Sequence, residues 1–191
     1  MPHQQHDPQG TPEEADKITS GFTPGALGQT ISLPIPRIVH DFRLQAQLDR
    51  KIALGKSPWG ERNWIGIRSG EWSATWGKGT LVPGGQDAQL LTDTKATFVD
   101  TRYLIATSDA DRAAHIMVRT EGWRTGPPDV LTRLLDPVEG DKVSADEYRF
   151  RIFVKFETGD ERYRWLNEAM WIGSGVRRGL EVVTCLGVVP Q

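Results

Sequence analysis

A carboxylate, a phenol, an indole and an amide crowd into one short stretch of this 191-residue chain. Glu157, Tyr163, Trp165 and Asn167 fall within eleven positions of FETGDERYRWLN, Phe156 to Asn167. Together they offer a proton-handling group and flat apolar walls, and they imply neither a metal nor a nucleotide. Two strand-like runs add charge. ATFVDTRYLIAT puts Asp100 and Arg102 on one face, with Thr101, Tyr103 and Ile105 on the other; EYRFRIFVKFE puts Arg151 and Glu157 on one face. If those faces line an enclosed interior, two carboxylates and two guanidiniums meet in a water-poor cavity. Burial there raises a carboxyl pKa towards that of a general acid, whereas a neighbouring Arg lowers it. The planar Arg fork suits a phenolate or an enolised carbonyl.

Each of these residues also has a plain structural reading. Arg and Glu alternating along a strand form a solvated outer face with cross-strand ion pairs, and a buried ion network can serve only to fix strand register. Trp72, Trp123 and Trp165 are walls for a flat ligand or simple core. Asp87, in the GGQD turn, is a polar wall residue or an Asx-type turn cap. That turn lacks the Lys and following helix of a phosphate loop. Tyr163 is the second candidate proton donor, and Asn167 is placed to orient it or a ligand carbonyl.

The elements that must position these groups are mostly strands. Residues 1–35 are rich in Pro, Gly, Gln and Thr without a sustained period, which reads as a mobile arm before a domain spanning 36–191. From Ile38 the texture changes: Phe42, Leu44, Ala46 and Leu48 alternate with polar residues, the two-residue period of a half-buried strand. The Gly- and Trp-rich run from Leu54 to Leu91 predicts short strands with tight turns. AAHIMVRTEGW reads as the hairpin partner of the Asp100 strand. PPDVLTRLLD, Pro127 to Asp136, is the one good helix, opened by prolines and short enough to plug or cover a sheet. The Arg151 strand and two more, in NEAMWIGSGV and GLEVVTCLGVV, complete eight or nine strands. The fold class expected is mainly β, a single antiparallel β-barrel with one short helix. Closure removes exposed edges and lets one face line a partly polar cavity. A sandwich is the alternative.

Composition excludes several functions. A net charge of -2 gives no basic excess to attract a phosphate backbone, so no nucleic-acid partner is expected. No apolar run approaches the roughly 20 residues that span a bilayer, and MPHQQHDPQG lacks the basic and apolar regions of a secretory signal, so the expected location is cytoplasmic, away from membranes. Cys185 is the only cysteine and reads as a packed core thiol. His3, His6, His40 and His115 show no zinc-binding spacing, so no metal site is expected.

Taken in order, GERNWIGIRSGEW, GKGTLVPGGQDAQL, FVDTRYLIATSDA, EYRFRIFVKFETGDERYRWLN and MWIGSGVR resemble the family known as domain of unknown function 3237, or UPF0311, from about Ile38 to Val189. The resemblance implies a calycin-like barrel similar to those of allene oxide cyclase and dirigent proteins, often found as a homo-oligomer. Fungal members include cyclases of the phenalenone type, which close a dihydrofuran ring by adding a phenolic oxygen across a prenyl-derived alkene. The long arm, DTRYLI and GWRTGPPDVL look closer to that fungal branch than to the bacterial one, whose GGQD element usually ends in a Trp where Ala88 stands here. The function implied by the resemblance is that of a cofactor-independent cyclase or isomerase acting on a prenylated aromatic polyketide. Asp100, Arg102, Tyr163, Glu157 and Arg151 are its candidate catalytic residues. Trp72, Asp87, Trp123, Trp165 and Asn167 are its candidate substrate contacts. The alternative function is a noncatalytic, lipocalin-like barrel that binds a small hydrophobic ligand.

Overall fold

A computed structural model describes residues 17–136 and 138–189. The chain divides into one unit of Met1–Pro36 and another of Arg37–Gln191. Among its described residues the first is helical at 17–19 and again over one turn, α1 (Leu27–Thr30), and exposes Ile31, Leu33 and Ile35. The part of the expected mobile arm that covers residues 1–16 lies outside the described residues. Among the described residues no helix is long and apolar enough to cross a membrane.

The second unit is a closed antiparallel barrel. Its strands are β1 (Val39–Leu48), β2 (Ile52–Ser57), β3 (Gly60–Ala74), β4 (Gly77–Leu91), β5 (Thr97–Thr107), β6 (His115–Thr125), β7 (Arg149–Glu157), β8 (Met170–Arg178) and β9 (Glu181–Val189). From β3 to β9 each strand pairs with the next, β9 pairs with β1, and β1 pairs back onto β3. Eight strands therefore close the ring. β3 is long enough to pair with β2 over Gly60–Trp64 and with β1 over Ile67–Ala74. The Gly- and Trp-rich region thus forms two 15-residue strands where short ones were expected. Gly70, Gly84 and Gly85 sit at register shifts between Ile67 and Glu71 and between Val82 and Gln86, which bend the strands without ending them.

Strict alternation sorts the side chains. On β1 Phe42, Leu44, Ala46 and Leu48 point inwards; on β6 Ile116 and Val118; on β7 Phe150, Ile152, Val154 and Phe156. The strands approach closely enough that a Cβ at Gly122 would collide with the Arg151 carbonyl oxygen.

The two ends of the barrel differ. At one, Phe42 stacks on Trp72 at 5.5 Å, Trp72 meets Trp76 at 4.8 Å, and Phe156 meets Trp171 edge-on at 5.0 Å. A 3-10 helix, Glu161–Asn167, covers this cluster with Tyr163, Trp165 and the fully buried Leu166. The second half of FETGDERYRWLN becomes this helix, while Phe156 and Glu157 end β7. Asn167 locks it in place, accepting from the Thr158 amide at 2.8 Å and donating to the Thr158 carbonyl at 3.0 Å. At the other end lies α2 (Pro128–Leu135), which buries Val130 and Leu131. Cys185 departs from expectation: it faces out from β9, only part-buried, with its Sγ 2.8 Å from His40 Nε2. The inward positions on β9 belong instead to Thr184 and Leu186.

If the 3-10 helix is a structural plug, Leu166→Ala should destabilise the barrel by about 2 to 5 kcal/mol in urea unfolding. Phe153→Ala, on the outer face and 69% exposed, should change stability by about 0.5 kcal/mol or less. Equal effects would refute that division between plug and surface.

Candidate functional site

The open end of the barrel holds polar side chains at positions where alternation elsewhere puts apolar ones. β3 contributes Asn63, in register with Gln89 of β4; β4 also contributes Asp87, one inward position deeper. Thr97 of β5 stands opposite Arg124 of β6, whose Nη2 donates to Thr97 Oγ1 at 3.1 Å. Arg177 comes from the end of β8, and Tyr148 immediately precedes β7. Asn63, Gln89, Arg124 and Arg177 line a pocket of about 620 Å3. Arg50, Lys51, Leu134, Asp136 and Asp141 surround its mouth. That volume suits a small organic molecule of several rings.

The mouth is held by two connections. Asp136 accepts from the Val138 and Glu139 amides, both at 2.8 Å, and so shapes the turn after α2. Asp141 Oδ1 accepts from the Gly179 amide at 2.5 Å. Gly179 has a φ of 53°, left-handed backbone that a glycine adopts without strain, and the bond ties the β8–β9 turn to the segment after α2.

Electrostatically the site is unusual for its burial. Burial raises the Asp87 pKa to about 6, against the opposing pull of a hydrogen bond from the Asp100 amide and of the Arg124 and Arg177 guanidiniums. Asp87 is 7% exposed. Burial also lowers the pKa of Arg124, and the like charge of Arg177 lowers it further. Arg177 is shifted down by burial while Asp87 and Asp141 counteract. Three buried atoms here have no hydrogen-bond partner: Asn63 Oδ1, Arg124 Nε and the Tyr148 hydroxyl. Such groups are costly unless something satisfies them. A carboxyl that titrates near neutrality beside two guanidiniums can give and take a proton while the cations hold oxygen functions. Among the described residues no group of three or more His, Cys, Asp or Glu side chains is placed to hold a metal ion.

Of the residues singled out in the sequence, Asp87 alone belongs to this polar end. Asp100 and Arg102 face outwards, because Val99, Tyr103 and Ile105 take the inward positions of β5. On the outer surface Asp100 Oδ1 lies 4.0 Å from Arg119 Nε, and Arg102 stands opposite Arg119. Arg151 and Glu157 are likewise exposed, displaced from the interior by the apolar set of β7. Trp123 is outside as well, packed on Phe98 at 5.1 Å. Trp72 is inside but locked in the aromatic cluster, its Nε1 donating to the Ala106 carbonyl at 3.2 Å. Trp165 covers that same end, 38% exposed. Tyr163 donates its hydroxyl to Asp109 at 3.0 Å; burial and that hydrogen bond raise its pKa. Asn167 is the clasp on Thr158.

Asn63, Gln89, Arg124, Tyr148 and Arg177 do not stand out in the sequence, although their parity is readable. Arg124 continues the inward series Ile116, Val118 in HIMVRTEGWRT, and Asn63 continues that of Ile65 and Ile67. A charge or amide on the apolar parity of a strand is the available signal.

Comparison with known proteins agrees with this architecture. A UPF0311 protein of Bradyrhizobium diazoefficiens is 30% identical over 142 residues, covering 74% of this chain and 89% of its own. The crystal structure of a conserved protein of unknown function from Rhodopseudomonas palustris superposes with a TM-score of 0.75 at 26% identity, over 83% of this chain and 100% of that one. A crystal structure described as an enzyme from Penicillium herquei superposes with a TM-score of 0.58 at 18% identity, over 82% and 98% of the two chains, a likeness of fold. The model of the family described as "Protein of unknown function (DUF3237)" matches residues 36–188, and the chain belongs to that family.

Proposed function

We propose that this protein is a cofactor-independent cyclase that closes a dihydrofuran ring on a prenylated aromatic polyketide by intramolecular hydroalkoxylation. The observation that carries the reading is Asp87, a buried carboxyl titrating at about 6 under the pull of Arg124 and Arg177, two side chains that line a molecule-sized pocket. The fold shared with a fungal protein described as an enzyme supports it.

In this mechanism the guanidiniums hold oxygens of the ring system and the prenyl chain reaches past Gln89 to Asp87. The alkene is the terminal vinyl of a 1,1-dimethylallyl group ortho to the phenol, so that ring closure gives five members. The protonated carboxyl gives its proton to the terminal CH2 carbon, using the π electron pair to form the new C–H bond. The phenolic oxygen bonds to the more substituted carbon, and its O–H proton returns to the Asp87 carboxylate. Substrate and product are isomers, so no electrons are exchanged with a cofactor. Concerted addition suits this site, since a free carbocation beside two guanidiniums would be disfavoured. The enclosed geometry supplies orientation, for which effective molarity is worth roughly 7 to 11 kcal/mol.

Incubation with a phenol carrying an ortho 1,1-dimethylallyl group in deuterated water should give a single dihydrofuran enantiomer with deuterium in the new methyl group. Asp87→Asn should lower kcat by about 100-fold or more while changing substrate affinity by less than about threefold. A racemic product at the buffer rate, or an Asn variant as fast as wild type, would refute catalysis and leave a binding barrel.

The wild-type rate should be highest below pH 6 and fall as pH rises through about 6, where Asp87 loses its proton despite the pull of Arg124 and Arg177. The same ionisation acts on stability. The pKa is raised from 3.8 in the folded state, so the protonation-linked stability is present below pH 4 and is lost as pH rises through about 6. The melting temperature of Asp87→Asn relative to wild type should therefore climb between pH 4 and 7, by the equivalent of on the order of 2 to 3 kcal/mol. A pH-independent difference would place the Asp87 carboxyl outside the buried site.

A further inference from the structure

We infer that the open-end pocket takes its ligand as an anion, anchored through an ionised vinylogous acid, the enol of a 1,3-dicarbonyl conjugated with a flat ring system. This takes the pocket as the reaction site, as proposed above, and adds the charge state and anchoring group of what enters it. The anchor is a different oxygen function from the phenol that closes the ring.

The geometry points to an anion at two depths. At the inner end Arg124 is only 5% exposed, and its Nη2 contacts only the neutral Thr97 hydroxyl while its Nε has no partner. Close by, the buried Tyr148 hydroxyl also lacks a partner. The guanidinium N–H is a donor that lines the pocket without an acceptor, and an ionised oxygen is the acceptor that gains most from it. Arg177 adds a second cation at the pocket wall, with its Nε occupied by the Gly179 carbonyl at 2.9 Å. At the mouth Arg50 and Lys51 are exposed, so an approaching anion meets positive charge before it meets Arg124 and Arg177. Asp136 and Asp141 also border the mouth, but each is already engaged with backbone amides. Asp87 acts on both guanidiniums and Asp141 on Arg177, yet Arg124 Nε is left without a partner, which an incoming anion supplies.

Shape selects the kind of anion. The pocket walls combine the Gln89 and Asn63 amides with Leu134 and Leu180, so a small inorganic anion would leave most of the 620 Å3 unfilled. A delocalised oxygen anion on a flat ring matches the planar fork of Arg and fills the space.

The test uses 2-hydroxy-1,4-naphthoquinone, a coloured vinylogous acid ionised at neutral pH, and its neutral 2-methyl ether. Calorimetric or absorbance titration of the full-length protein should show the ionised quinone binding at least about tenfold more tightly. Arg124→Met and Arg177→Gln should each shrink that preference to within about threefold, and raising the salt concentration should weaken binding of the anion but not of the ether. Arg177 is only part-buried, so its variant retains the test if Arg124→Met fails to fold. Equal affinities, tighter binding of the ether, or a preference unchanged in the Arg177 variant would overturn the inference. The preference is a binding measurement, so it stands or falls independently of whether a prenylated phenol is turned over.

Discussion

Pairing of β1 back onto β3 is the constraint on which the rest of the molecule depends. It turns a meander of strands into a ring, and a ring has an inside. Once closed, each strand must commit one parity to the interior, and any residue on that parity is desolvated whether it is leucine or arginine. Most inward positions satisfy this with apolar side chains such as Phe42, Ile105 and Val118. The exceptions are concentrated at one end, where Asn63, Asp87, Gln89 and Arg124 occupy interior positions.

The closed end makes that concentration tolerable. Stacked Phe42, Trp72 and Trp76, sealed by Leu166 under the 3-10 helix, provide a large apolar contact whose aromatic pairs contribute roughly 0.5 to 1.5 kcal/mol each beyond area burial. Burying an unpaired guanidinium costs several kcal/mol, and a barrel with two polar ends would have no comparable source of stability. The division is therefore between an aromatic, stabilising end and a polar end that holds the pocket. It also explains why the residues of FETGDERYRWLN, rich in apparent chemistry, are structural: Tyr163 is fixed by Asp109, and Asn167 by Thr158.

The barrel is legible in the sequence because its main strands alternate cleanly, and EYRFRIFVKFE forms β7 with its apolar set inside. Two long strands read as several short ones because glycines at bulges and glycines at turns are the same residue in a sequence. The site is less legible. Asp100 and Arg102 attract notice as a charged pair, but a pair on the parity opposite Tyr103 and Ile105 is solvated by the geometry of a closed sheet. Arg124 and Arg177 are hidden for the converse reason. Each lies near a strand end, and its significance comes from neighbours distant in sequence: Thr97 and Asp87 for one, Asp87 and Asp141 for the other. Asp87 is accessible to both kinds of reading, as its place beside the GGQD bulge and its interior parity coincide.

The bond from the Gly179 amide to Asp141 separates two kinds of change open to this chain. The inner wall of the pocket is made by strands whose register is shared around the whole ring, so altering it disturbs every neighbour. Its rim is made by the β8–β9 turn and the segment after α2, joined to each other through one carboxylate. Lengthening or shortening those connections would reshape the entrance while leaving the hydrogen-bonded ring intact. The width of the entrance and the arrangement of the inner wall are therefore separately adjustable features of this chain.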